Sequence, residues 1–163
     1  MPASQSFRLP PSPPPNCLVT SFIVPHLCQA VASHFDTLSG PDAISVLVSL
    51  PRMAVAPPNL DWVEEAVAVA QGGLDSSSAL QLNALCSSLN RLGHKPDRPW
   101  RRAARDVATA KLQACTAGAD VVLLLQAVAR LGPVPQEFLE DVVTQVSPCV
   151  GAHCSGVSDV FAA

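Results

Sequence analysis

Seven of the ten basic residues in this 163-residue chain lie between Arg91 and Lys111: Arg91, Lys95, Arg98, Arg101, Arg102, Arg105 and Lys111. Only Asp97 and Asp106 oppose them there, so a net charge of −3 conceals a locally positive stretch. The rest of the chain carries three basic and eleven acidic residues. A polyanion responds to the local field rather than to the sum. Arg98, Arg101, Arg102 and Arg105 follow the i, i+3, i+4, i+7 spacing that gathers side chains on one helix face. Such a face meets phosphates with salt-sensitive, sequence-independent affinity, and guanidinium planes stack under unpaired bases. A solvated surface, or a patch for an acidic protein partner, is the competing reading of the same residues.

Other chemistry is poorly supplied. Gly72 and Gly73 lack the following lysine and serine of a phosphate-binding loop. Glu64-Glu65 and Glu140-Asp141 are immediate neighbours, which do not share a helix face, so each pair reads as solvated surface. Cys149 and Cys154, with His153 between them, lack a second ligand pair at a zinc spacing. No enzymatic activity, metal or other cofactor is expected. Six cysteines without a secretory signal do not indicate a disulfide framework. Cys28 and Cys86 sit in apolar runs and read as small buried hydrophobes.

The elements that must carry the basic face recur along the chain. Arg52, Arg91 and Arg130 are 39 residues apart, and Met53, Leu92 and Leu131 follow on the same spacing. Pro57, Pro96 and Pro135 keep the register, as do Leu50, Leu89 and Val128. A period of this size points to a helical repeat. The three arginines fall at expected helix C-termini, where a cation favours the dipole, and a repeated phosphate contact is the alternative reading. Apolar residues make up 48 % of the chain but aromatics only 4 %, with no tyrosine. Burial must come from Ala, Val and Leu, which suits closely packed helices. No apolar run reaches the length of a membrane span, so no membrane insertion is expected.

About seven helices are expected. The first starts near 24–26 and ends near Leu38, with Leu27, Val31 and Phe35 on one face. The second spans about Pro41–Leu50, opened by a Ser39–Asp42 capping box and ended by Pro51. The others are about Leu60–Ala70 (Trp62, Ala66 and Val69 inward), Ala79–Leu92 (Leu82, Leu85, Leu89), Arg98–Ala114 (Trp100, Ala104, Val107, Ala108), Asp120–Leu131 and Gln136–Val146 (Phe138, Val142, Val146). The expected fold is an all-α solenoid of stacked antiparallel helix pairs, with a period of about 38–39 residues. Six of the first sixteen residues are proline. Residues 1–17 therefore read as a proline-rich tail or the remnant of an organelle-targeting peptide. The helical domain is expected over 18–147, and 148–163 reads as an irregular tail or a truncated next repeat.

The stretch Leu82–Pro96, LNALCSSLNRLGHKP, resembles the octotricopeptide repeat of green-algal organelle proteins. Leu92-Gly93 and Leu131-Gly132 are similar to its Leu-Gly pair, Pro96 and Pro135 to its proline, and Trp100 and Phe138-Leu139 to the aromatic that opens its second helix. The first copy departs, with Met53-Ala54 in place of Leu-Gly, and the resemblance covers roughly residues 24–146. It implies binding of single-stranded RNA in a chloroplast or mitochondrion, without catalysis, in transcript stability, processing, splicing or translation. Protein partners within a ribonucleoprotein complex are implied too. Candidate base contacts are polar residues on the exposed face of the first helices: Asn83, Ser87, Asn90 and Gln126. A helical protein-interaction scaffold is the alternative.

Overall fold

The computed structural model describes residues 26–53 and 56–155. The stretch expected as a tail over 1–17, and the last residues from 156 onward, lie outside the described residues. The chain is helical at 26–32 (α1), passes a 3-10 turn at Phe35–Thr37, and continues through six helices. These are α2 (Gly40–Arg52), α3 (Leu60–Gln71), α4 (Ala79–Arg91), α5 (Arg98–Gln113), α6 (Gly118–Arg130) and α7 (Gln136–Ser155). There is no strand among the described residues.

Short polar side chains start most of these helices by accepting an otherwise orphaned N–H. Asn59 Oδ1 accepts from the Trp62 amide at 2.7 Å, and Asp97 Oδ1 from the Trp100 amide at 2.9 Å. Ser78 and Gln81 form a reciprocal capping box, at 3.1 and 2.9 Å. The box expected at Ser39–Asp42 is only half made. Ser39 Oγ accepts from the Asp42 amide at 3.4 Å, but the Asp42 carboxylate takes the Ser39 hydroxyl instead of a backbone N–H. α4 ends in a Schellman turn: Gly93 has φ +69°, and the His94 and Gly93 amides donate to the Leu89 and Asn90 carbonyls.

Four helix ends differ from expectation. α1 is helical only to residue 32 and does not reach Leu38, because the His34 and Thr37 amides take the carbonyls three residues back, Val31 and His34, and tighten the chain into a turn and a 3-10 turn. Pro51 does not end α2, because proline removes only its own N–H and the Met53 amide still reaches the Ser49 carbonyl at 3.0 Å. α6 starts at Gly118 rather than Asp120, since the Ala117 carbonyl already accepts from the Asp120 amide at 3.0 Å. Asp120 instead puts a negative charge in the first turn, where the dipole favours it. α7 runs to Ser155, through Pro148, where irregular chain is expected.

α2 packs on α4 and α4 on α6, while α3 packs on α5 and α5 on α7. Each helix of the first series also packs on its successor: α2 on α3, α4 on α5, α6 on α7. The result is an all-α helical-repeat architecture with a shared core of Leu47, Val63, Leu82, Leu85, Trp100, Leu112 and Leu124. On α1, Cys28 takes the core position and Leu27 is exposed. A one-residue rotation of the helical face separates that outcome from the expected Leu27 stripe. Phe138 is buried and Val142 half-buried, but Val146 is exposed.

Two tryptophans tie successive helices of the second series together. Trp62 Nε1 donates to the Cys28 carbonyl at 3.0 Å, and Trp100 Nε1 to the Val67 carbonyl at 3.1 Å. Phe138 stands at the third position, 38 residues after Trp100 as Trp100 is after Trp62. Phe138 has no side-chain N–H to give. The distance from arginine to aromatic shortens along the chain, from ten residues (Arg52 to Trp62) to nine (Arg91 to Trp100) to eight (Arg130 to Phe138). The turn linking the two helices of a pair absorbs that change.

Candidate nucleic-acid interface

The basic cluster is placed by the start of α5. The Asp97 cap and Pro99 in the first turn set the helix phase so that Trp100, Ala104 and Ala108 face the core. Arg98, Arg101, Arg102 and Arg105 are thereby turned together into one open cleft of about 890 Å³, between α5 and the beginning of α7. The same cleft is lined by Asp106, Glu137 and Asp141. Arg98 and Arg102 are exposed and make no hydrogen bond or ion pair among the described residues. Arg101 is half-buried and donates from Nε to the Asp97 carbonyl at 3.4 Å.

Arg105 is held differently. One terminal nitrogen donates to the carbonyls of both Leu131 and Pro133, each at 3.3 Å. Gly132, between them, has φ +129°, and a Cβ there would meet that nitrogen at 3.2 Å. The guanidinium thus satisfies the carbonyls at the end of α6, while its Nε is buried without a partner. Arg105 fastens the α6–α7 turn to α5, which leaves Arg98 and Arg102 freely presented and Arg101 half-buried with only its Nε engaged. Charge-assisted hydrogen bonds at a half-buried site are worth about 1–2 kcal/mol in total. Arg105→Ala is expected to lower the urea midpoint accordingly, whereas Arg102→Ala leaves it unchanged. Equal midpoints for the two variants would refute the fastening role.

The remaining basic residues divide. Lys95 is exposed in the α4–α5 turn and lines a second, smaller cleft of about 180 Å³ with Asn90, His94, Arg101 and Arg130. Arg101 borders both clefts, so Lys95 joins the α5 cluster through it. Arg91 is exposed at the end of α4. Lys111 lies at the far end of α5, where Nζ donates to the Asp75 carbonyl at 2.8 Å. It fastens the α3–α4 turn and does not join the cluster.

The candidate base contacts divide as well. Asn83 Nδ2 donates to Gln126 Oε1 at 3.3 Å, and Arg130 donates to Asn83 Oδ1. Asn83 and Gln126 are therefore engaged with each other across α4 and α6. Asn90 is exposed beside the smaller cleft, and Ser87 is half-buried. Arg130 belongs to this constellation, and its place in the 39-residue column, which suggests a helix-end cation or a repeated phosphate contact, does not announce the bond to Asn83. Its long side chain reaches back across the neighbouring helix, which a column of sequence cannot reveal.

Cys86 also borders the smaller cleft. Burial pushes its thiol pKa up to about 12, against the opposing pull of nearby Arg130. It stays protonated at neutral pH and is packing rather than a nucleophile. Among the described residues no group of three or more His, Cys, Asp and Glu is placed to hold a metal ion, and no helix is long and apolar enough to cross a membrane. Comparison with protein-family models, with curated proteins and with solved structures returned no match.

Proposed function

We propose that this chain is an α-solenoid of stacked antiparallel helix pairs, repeating every 38–39 residues, which binds single-stranded RNA without catalysis. The links between helices run from four to seven residues, and connections that short favour antiparallel neighbours. One observation carries the RNA reading: the two clefts that meet at Arg101 present Arg98, Arg102, Lys95 and Arg130 along one edge of the stack. Arg98, Arg102 and Lys95, with no partner among the described residues, suit a run of phosphates, and the planar guanidiniums of the four arginines suit unpaired bases. The resemblance to organelle repeats supports a chloroplast or mitochondrial transcript as that RNA, in its stability, processing, splicing or translation.

The test is binding of a single-stranded RNA pool across a salt series, beside an Arg98/Arg101/Arg102→Ala variant that spares Arg105. Loss of three phosphate contacts is expected to weaken binding more than tenfold at low salt. It should also flatten the slope of log K against log salt by about 2, at roughly 0.7 per contact. A folded protein that binds no RNA at low salt refutes this reading. The second reading is a helical scaffold for a protein partner. It is favoured by Glu137 and Asp141 in the main cleft, which repel phosphate and suit a surface of mixed charge.

A further inference from the structure

The 39-residue register shows which helix faces are covered inside the chain and which are not. Val46 on α2 is half-buried, yet its counterparts Leu85 and Leu124 are fully buried. Ser49 is half-buried, against buried Ser88 and Ala127. Met53 is 48 % exposed, against 6 % for Leu131. On α4 that face is covered by α2, and on α6 by α4. On α2, among the described residues, it borders a groove of about 260 Å³ whose lining, which includes Leu27, Val31, Val46 and Trp62, carries no charge. The groove is the place where a preceding first-series helix would lie.

The opposite end of the stack shows the complement. Ile44 is 2 % exposed under α4, but its counterpart two repeats on, Val122 of α6, is 53 % exposed. Leu47 and Cys86 are buried, and the third member of that column, Leu125, is half-buried. Ala129 continues the exposed strip one turn on. This is the face that α2 and α4 each use to cover the next helix of their series.

We propose that copies of this chain associate head to tail, the Val122–Ala129 face of α6 on one copy filling the α1–α2 groove of the next. The contact continues the α2–α4–α6 layer from one molecule into another by the packing already used twice within it. It is heterologous, so each copy keeps one free groove and one free helix face, and association is open-ended. One helix in one groove buries less than the roughly 1,600 Å² of a standard interface, so the association is weak. The proposal rests on the repeat register and is independent of RNA.

Sedimentation velocity of the full chain across the micromolar range tests it. The weight-average coefficient is expected to rise with concentration. Val122→Glu spoils only the helix face and Met53→Glu only the groove, so each variant alone should sediment as a monomer. Their equimolar mixture should recover a dimer that grows no further, since one intact face meets one intact groove. Ala129→Arg and Ser49→Arg form a second pair, used if circular dichroism shows either first variant unfolded. A wild-type chain that stays monomeric overturns the proposal, as does a mixture that stays monomeric while the wild type associates.

Discussion

Gly73→Ala is expected to destabilise the protein by about 3 kcal/mol, the upper end of ordinary overpacking, because the added methyl group would meet only backbone. A Cβ at Gly73 would lie 2.5 Å from the Gly40 carbonyl carbon and 2.6 Å from the Pro41 nitrogen. The clash is reciprocal: a Cβ at Gly40 would lie 2.2 Å from the Gly73 nitrogen. Here the start of α2 touches the turn between α3 and α4, main chain against main chain, and neither side can swing away as a side chain would. Gly40→Ala should therefore cost about as much. Gly72→Ala is the control, since its nearest neighbour is the Val69 carbonyl at 3.6 Å. Urea unfolding of the three variants decides it. Gly72→Ala matching the other two would show that glycine freedom in the turn matters and the close approach does not.

Trp100→Ala is expected to cost more, about 4 kcal/mol, in the range of aromatic truncations in well-packed cores. Trp100 is the largest of the fully buried side chains, and it joins α5 to α3 through the indole bond to Val67. For a chain of this size the loss corresponds to a fall of roughly 10 °C in Tm. Trp100→Phe should be much milder, about 1–2 kcal/mol, since it keeps an aromatic ring and forfeits mainly one hydrogen bond. The third helix pair already carries Phe138 at the corresponding place, buried without any N–H. Thermal unfolding followed by circular dichroism separates the two. A phenylalanine variant as damaged as the alanine variant would mean that the indole bond, and not the ring, holds the helices together.

The helices and their order were legible because apolar residues recur at helical spacing and because the register repeats. Leu82, Leu85 and Leu89 form a stripe in the sequence and a buried stripe in the structure. Ser39 could be read as the cap of α2 because a cap is a local matter, decided within three residues. What escaped depends on neighbours distant along the chain. The spacing of Arg105 puts it on the basic face, where it does line the main cleft. Nothing in that spacing announces that carbonyls 26 and 28 residues later will hold its guanidinium. Asn83 and Gln126 each read as an exposed polar residue, and only the packing of α4 on α6 brings them within hydrogen-bonding distance. Gly73 reads only as a glycine outside any phosphate-loop pattern, and its closeness to Gly40 is invisible until two turns meet. The octotricopeptide resemblance rests on short motifs at the turns within each pair, which shorten by one residue from copy to copy.

That variation in spacing bears on how such a chain can change over time. Between arginine and aromatic the interval falls from ten residues to nine to eight, yet both tryptophans and Phe138 are buried. Each helix series keeps its own phase, and the turn between them works as a slip joint. Insertions and deletions of one residue there are absorbed without dephasing either layer, while inside a helix the same change would rotate every following side chain by about 100°. The α4–α5 turn that holds Lys95 is one of these joints. The edge bearing the cationic clefts is thus also where length mutations are cheapest, so what it displays can diverge between copies while the core beneath stays in register.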